Sequence, residues 1–236
     1  MASLRALAED GEATMLDASA TSATLQRLPS APTAEPTRLR SLAHLRRFDR
    51  EQDIYGQEER SDTWYRVMSG SARKFLMRAD GRRQLVDIYL PGDLFGFTSR
   101  LHHRFAVQAV TEGTVIACYP RQRVEALARE DSETALEIRR QILEALERLQ
   151  QQLLVIGTMT AQEKVREFLL YFHRRLSADK DEGMALPISR YDIADMLGIS
   201  PETVCRAITD LQARGVISLE GPRRIRITRR RGGQNG

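Results

Sequence analysis

Ser189 to Ile217, SRYDIADMLGISPETVCRAITDLQARGVI, decides how the rest of the chain is read. Ser189 is a helix cap, and Ile193, Met196 and Leu197 fall on one face of the helix it starts, with Ala194 small enough for another helix to come close. Gly198 stops that helix. Ile199 and Ser200 then form a turn, Pro201 takes the first position of a second helix, and Val204, Ile208 and Leu211 give that helix an apolar face. So short a turn forces the two helices to cross, which predicts a helix-turn-helix. Beyond it, Val216 to Leu219 and Arg224 to Thr228 alternate about Gly221-Pro222 as a hairpin wing with arginine on its outer side.

With Val204 and Ile208 turned inward, the first turns of the second helix present Glu202, Thr203, Cys205 and Arg206, the candidate base readers. Arginine can bond O6 and N7 of guanine, and glutamate can accept from the amino group of cytosine. Ser189, Arg190, Ser200, Arg223 and Arg224 are the candidates for contact with the DNA backbone. In the alternative, Glu202 only complements the helix dipole and pairs with Arg206 four residues on. Charge favours DNA: the chain has 36 Lys and Arg against 32 Asp and Glu, a net +4, and Ser189 to Gly236 alone carries nine arginines against five acids. The whole excess therefore lies here, and clustered arginine fits a polyanion, although Gly221 to Gly236, with six arginines and no acid, also reads as a solubilising, frayed C-terminal tail, and residues 231–236 are expected to be disordered. Cys205 sits beside Arg206 near a helix N-terminus and is expected to be a redox-sensitive thiol whose oxidation weakens DNA binding. The alternative is a small neutral spacer.

Upstream, Thr160-Ala161-Gln162-Glu163 is a capping box for a helix with Val165, Phe168, Leu169 and Phe172 on one face, so a DNA-binding domain is expected over residues 160–230. Residues 121–159 read as one long dimerisation helix. Ile138, Ile142, Ala145, Leu149, Gln152, Ile156 and Met159 alternate four and three apart as a dimer seam, and Leu143, Leu146 and Leu153 form a second stripe for packing on the same chain. A single buried helix within a monomer is the other reading. Residues 41–120 show short strand-like runs with Asp80-Gly81 as a hairpin turn, which predicts a small antiparallel β-roll. Residues 1–40, with SATSATLQRLPSAPTAEP at 19–36, read as a flexible leader, with Met15 a second candidate start. The expected class is α+β.

The longest uncharged span, Leu149 to Gln162, has 14 residues and four glutamines, too short and too polar to cross a bilayer, and no signal peptide is readable, so a cytoplasmic protein is expected. Cys118 and Cys205 form no CxxC pair, which excludes a structural zinc or a cysteine-only cluster within one chain. Cys118 reads as a small core residue, and His102 and His103 as surface loop residues.

The order roll, long helix, winged helix-turn-helix, together with the Glu-x-x-x-Arg of Glu202 and Arg206 and the LPGDLFGF turn at Leu90 to Phe97, resembles the Crp/Fnr superfamily of bacterial transcription regulators over about residues 41–230. Within it the likeness is to the FixK branch. The resemblance implies a cyclic-nucleotide-binding-like roll and a homodimer that binds a palindromic site on double-stranded DNA. It also implies recruitment of RNA polymerase in microaerobic, nitrogen-fixation or denitrification gene control. Cyclic-AMP-binding members carry a Gly-Glu turn and an Arg-Ser pair where this chain has Gly92-Asp93 and Arg104-Phe105, so no cyclic nucleotide is expected. Oxygen-sensing Fnr proteins hold a cluster with several N-terminal cysteines, whereas residues 1–117 contain none, and no cofactor is expected. Pro201 stands where readers of TGTGA carry an arginine, which points to TTG(A/C)-type half-sites. A small-molecule receptor switching the same DNA-binding domain is the second reading. A cupin-like enzyme would need clustered His and Glu, and the roll offers only the adjacent pair His102-His103.

Overall fold

The computed structural model describes residues 35–176, 183–221 and 224–228. After a helical turn, α1 (Thr37–Arg40), eight strands follow: β1 (His44–Phe48), β2 (Asp53–Tyr55), β3 (Thr63–Ser69), β4 (Ala72–Met77), β5 (Arg83–Tyr89), β6 (Leu94–Phe95), β7 (Ala106–Ala109) and β8 (Thr114–Pro120). They pair antiparallel in two four-stranded sheets, β1-β8-β3-β6 and β2-β7-β4-β5. The predicted β4–β5 hairpin is present, with Gly81 at φ +78° in its turn and the Asp80 carboxylate accepting from the Arg82 N–H. The fold is α+β, a roll followed by long helices and a winged helix-turn-helix.

β3 lacks the alternation of a half-exposed strand because it is covered on both faces. Tyr65 and Val67 enter the roll interior, whereas Trp64 and Arg66 face the helices. β5 gains its second face differently: a β-bulge, at which Lys74 pairs with Asp87 but Phe75 with Leu85, puts Leu85 and Ile88 into the same core although they are three residues apart. That core does not end with the roll. Phe75, Leu85, Ile88 and Leu90 are continuous with Val165, Phe168, Leu169 and Phe172 of the next domain.

Residues 121–159 are two helices rather than one: α2 (Arg121–Glu130) and α3 (Ser132–Thr158). The chain is extended at Asp131, φ −122° and ψ 104°, whose carboxylate accepts from the Thr134 N–H at 3.0 Å and caps α3. The stretch read as leader also ends before residue 40, since Leu39 is buried with Trp64, Tyr119 and Val124, and the Tyr119 hydroxyl donates to Glu35. Ile138 belongs to that cluster, not to a free seam. Its neighbour Glu137 accepts from the buried Arg66 guanidinium at 2.9 Å, which registers α3 on the roll. Leu143, Leu146 and Leu153, expected to pack on the same chain, are exposed, together with Ile142, Leu149 and Ile156.

α4 (Ala161–Leu176) begins at the predicted capping box, with Glu163 accepting from the Thr160 N–H at 2.8 Å. α5 (Arg190–Leu197) and α6 (Pro201–Ala213) follow, then β10 (Ile217–Leu219) and β11 (Arg224–Ile227). A strand not foreseen, β9 (Met184–Ala185), pairs with β11 and widens the wing to three strands in the order β10-β11-β9.

Candidate nucleic-acid interface

α5 starts with a full capping box: the Asp192 N–H donates to Ser189 Oγ at 3.1 Å and the Ser189 N–H to Asp192 Oδ2 at 3.0 Å. It ends at Gly198, φ +64°, a left-handed position where any Cβ would be strained. Ser200 then caps α6 by accepting from the Thr203 N–H at 3.2 Å, and Pro201 occupies the first helical position. Val204, Ala207, Ile208 and Leu211 are buried in one core with Ile193 and Leu197, so the two helices are locked across their turn.

α6 leaves outside a stripe, Glu202, Arg206, Thr209 and Ala213, all exposed and spaced four, three and four residues apart, with Gln212 exposed beside its end. Glu202 and Arg206 are not within ion-pair distance, and among the described residues Arg206 makes no ion pair, so its guanidinium is available to a base. The Glu202 carboxyl is held below the usual carboxylate range by its own backbone N–H and the Ser200 hydroxyl, then by the Arg206 charge, and stays an acceptor at neutral pH. Thr203 and Cys205 are half-buried rather than fully exposed. Thr209, whose hydroxyl donates to the Cys205 carbonyl at 3.0 Å, was missed in the sequence although it lies three residues beyond Arg206 on the same stripe.

The candidate backbone contacts divide. The Ser189 hydroxyl donates to Asp192 Oδ2 at 2.7 Å, so its single proton is already used and it is unsuited to a phosphate. Ser200 and Thr203 share one bond at 3.0 Å between two hydroxyls, and with the Ser200 hydroxyl donating to Glu202 the proton of that shared bond comes from Thr203, so neither hydroxyl has a proton to spare until one of these bonds is exchanged for a phosphate. Arg190 is half-buried on the first turn of α5. Arg224 and Arg226 stand on the outer side of the wing but share Glu220, at 3.2 and 2.5 Å, so the wing is less positive than its arginines alone predict. Exposed pairs of this kind are weak and yield readily to a phosphate. Arg223 lies outside the described residues.

The arrangement, two crossed helices with an exposed polar stripe on the second and a basic wing beside it, is that of a protein that reads a major groove. A Crp-like helix-turn-helix domain matches residues 163–232, and a cyclic nucleotide-binding domain matches residues 45–131. The chain is 38% identical over 176 residues to the nitrogen fixation regulation protein FixK of Rhizobium meliloti (strain 1021), covering 75% of this chain and 79% of that one. The chain belongs to the Crp/Fnr family, in its FixK branch. FixK of Azorhizobium caulinodans is likewise 38% identical, over 75% of this chain and 73% of that one. The solved structure of FixK2 from Bradyrhizobium japonicum is 35% identical with a TM-score of 0.73, covering 79% of this chain and 93% of that one. This FixK-type chain is thus a DNA-binding transcription regulator and not an enzyme. Among its described residues, no helix is long and apolar enough to cross a membrane.

The roll of this Crp/Fnr member is filled by its own side chains. Tyr89 and Phe95 stack with centroids 4.4 Å apart, Tyr65 and Phe95 at 5.4 Å, and Tyr55 and Tyr65 lie at 5.1 Å. Burial pushes the Tyr65 phenol up to about 12, so it is neutral. His103 is not a surface residue: it is 4% exposed and stacked on Tyr55 at 3.8 Å, and burial lowers its pKa. Cys118 is a core residue, as expected, and burial pushes its thiol up to about 11. Asp93 is fully engaged, accepting from the Leu90 N–H and from Arg175 of α4, each at 2.8 Å, with Arg148 of α3 at 3.5 Å.

Proposed function

We propose that this regulator acts as a homodimer on a twofold-symmetric DNA site, reading each half with Glu202 and Arg206, and recruits RNA polymerase as an activator. The exposed Arg206, which makes no ion pair among the described residues and lies four residues from Glu202 on the first turns of α6, carries the reading. Half-sites of TTG(A/C) type are expected because Pro201 offers no donor for an outer guanine. Selection from a random duplex library tests this, and recovery of TGTGA half-sites would refute it. The names of the FixK relatives support a role in nitrogen-fixation or microaerobic gene control.

The dimer reading rests on α3. Its exposed apolar residues Ile142, Leu146, Leu149, Leu153 and Ile156 are spaced four, three, four and three apart. This seam keeps Ile142, Leu149 and Ile156 of the sequence expectation, replaces the half-buried Ala145 and Gln152 with Leu146 and Leu153, and loses Ile138 to the roll. A groove of about 460 Å³ between α2 and α3, lined by Trp64, Ala128, Ile142 and Leu143, extends the same face. A second copy of α3 is the occupant that the heptad spacing fits.

No cyclic nucleotide is expected to switch the protein. The aromatic filling of the roll, the engaged Asp93 and the Arg104 guanidinium lying 5.5 Å from the Phe105 ring support that reading. A rise in melting temperature with cyclic AMP or cyclic GMP would overturn it. Oxidation of Cys205 is proposed as the inactivating event, since the thiol is free, half-buried and next in sequence to Arg206 on the proposed reading helix.

A further inference from the structure

The helix that carries no base reader, α5, is bound to the edge strand of the roll. Asp195 accepts from the Leu85 N–H at 2.6 Å with Oδ2 and from Gln84 Nε2 at 2.9 Å with Oδ1. Asp192 is buried and accepts from Arg83 at 2.7 Å with Oδ1, with Arg73 at 3.6 Å, while its other oxygen closes the α5 capping box. One turn of helix thus places two carboxylates along β5, and one of them satisfies a backbone donor that an edge strand otherwise leaves open. Because α5 and α6 share a core across a three-residue turn, whatever fixes α5 fixes α6. The Glu202–Arg206 stripe takes no part in these bonds and stays exposed.

We propose that this clasp, Arg83, Gln84 and the Leu85 N–H of β5 against Asp192 and Asp195 of α5, is what aims the recognition helix at DNA, so that the regulator is held ready without a bound effector. These are positioning residues and touch no base. The inference rests on the dimer reading above. Two recognition helices that engage one duplex do so in sequence, and the second engagement depends on the effective concentration that the protein geometry provides. A domain that swings free on its linker presents its helix at that second half-site less often. Covering the recognition stripe would make the clasp inhibitory, but the stripe is open, so the clasp favours binding.

Gln84 gives the sharpest test because it is half-buried at the edge of the roll and lies outside the proposed reading surface. Gln84→Glu sets a carboxylate against Asp195 and breaks the clasp, whereas Gln84→Lys keeps a donor there. Binding is measured by fluorescence anisotropy on two labelled duplexes, one with inverted TTGA half-sites centred about 10 bp apart and one with a single TTGA. Gln84→Glu is expected to weaken binding to the two-site duplex about tenfold and to leave the single-site duplex within about twofold, with Gln84→Lys matching wild type on both. Should Gln84→Glu lose its cooperative melt, Gln84→Ala, which only removes the donor, takes its place in the same comparison. Unchanged or tighter two-site binding overturns the proposal, as does an equal loss on both duplexes, which would make the contact merely structural. Failure of the dimer reading shows separately, in wild type, as equal affinity for the two duplexes, and it removes the basis of this inference as well.

Discussion

Removing the carboxylate of Glu137 should unfasten α3 from the roll. Arg66 and Glu137 are 5% and 7% exposed, and the guanidinium donates to Glu137 Oε1 at 2.9 Å while its other acidic neighbour, Glu35, lies at 3.8 Å. In Glu137→Ala a cation stays buried without its main partner, at a cost of about 3–5 kcal/mol. For a chain of this size each kcal/mol moves the midpoint by about 2–4 °C, so melting should fall by roughly 6–20 °C. The companion Arg66→Met/Glu137→Leu removes both charges and fills the space, and it should recover most of the loss. It should stay about 1 kcal/mol short of wild type, because Gln141 Nε2, which donates to Glu137 at 3.2 Å, loses its acceptor in either variant while Gln141 Oε1 keeps the Leu94 N–H. Arg140 also loses Glu137, but its half-exposed side chain keeps Glu144 and water. Differential scanning calorimetry at one protein concentration gives all three midpoints. A single variant melting within 2 °C of wild type, or a double variant less stable than the single, refutes the reasoning.

Arg206→Ala should lose about 1–3 kcal/mol of discrimination per half-site, whereas Arg226→Ala should weaken all sequences alike and flatten the salt dependence; salt titrations on cognate and scrambled duplexes separate the two. Leu146→Asp with Leu149→Asp should give monomers in sedimentation, because paired carboxylates in an apolar seam have no counter-charge, and an intact dimer would move the interface elsewhere. At pH 7–8 the Cys118 thiol, raised to about 11 by burial, stays protonated, so iodoacetamide should alkylate the half-buried Cys205 first, as read by peptide mass spectrometry. Peroxide should abolish operator binding of wild type and Cys118→Ser but spare Cys205→Ser; equal sensitivity of Cys205→Ser and wild type sinks the redox assignment.

The helix-turn-helix was legible because every determinant is local: a cap at Ser189, a left-handed Gly198, a cap at Ser200 and Pro201 after it act within a turn of where they stand. The Asp80-Gly81 hairpin was legible for the same reason. What pattern reading lost depends on contacts far along the chain. Ile138 fits a heptad as well as Ile142 does, and only the roll beneath it decides which one is buried. Asp131 reads as one more polar residue in a helical run until its carboxylate is seen capping α3. His103 is buried because Tyr55, 48 positions earlier, stacks on it, and no local signal carries that. At the interface, Glu202 and Arg206 were readable from helical spacing. The sharing of Glu220 by Arg224 and Arg226 was not, because it depends on how the hairpin closes.

The core that runs from Phe75, Leu85 and Ile88 into Phe168 and Phe172 bears on how such a protein can be cut or rebuilt. A fragment starting at Thr160 would carry the whole reading head into water with an apolar flank uncovered, so it should express poorly and aggregate unless that flank is made polar. A chimera that grafts this reading head onto another sensor would fail at the same seam unless strands β4 and β5 travel with it. The natural joint for exchanging parts therefore lies inside the roll, and not at Met159-Thr160 between α3 and α4, where helix capping alone sets the boundary.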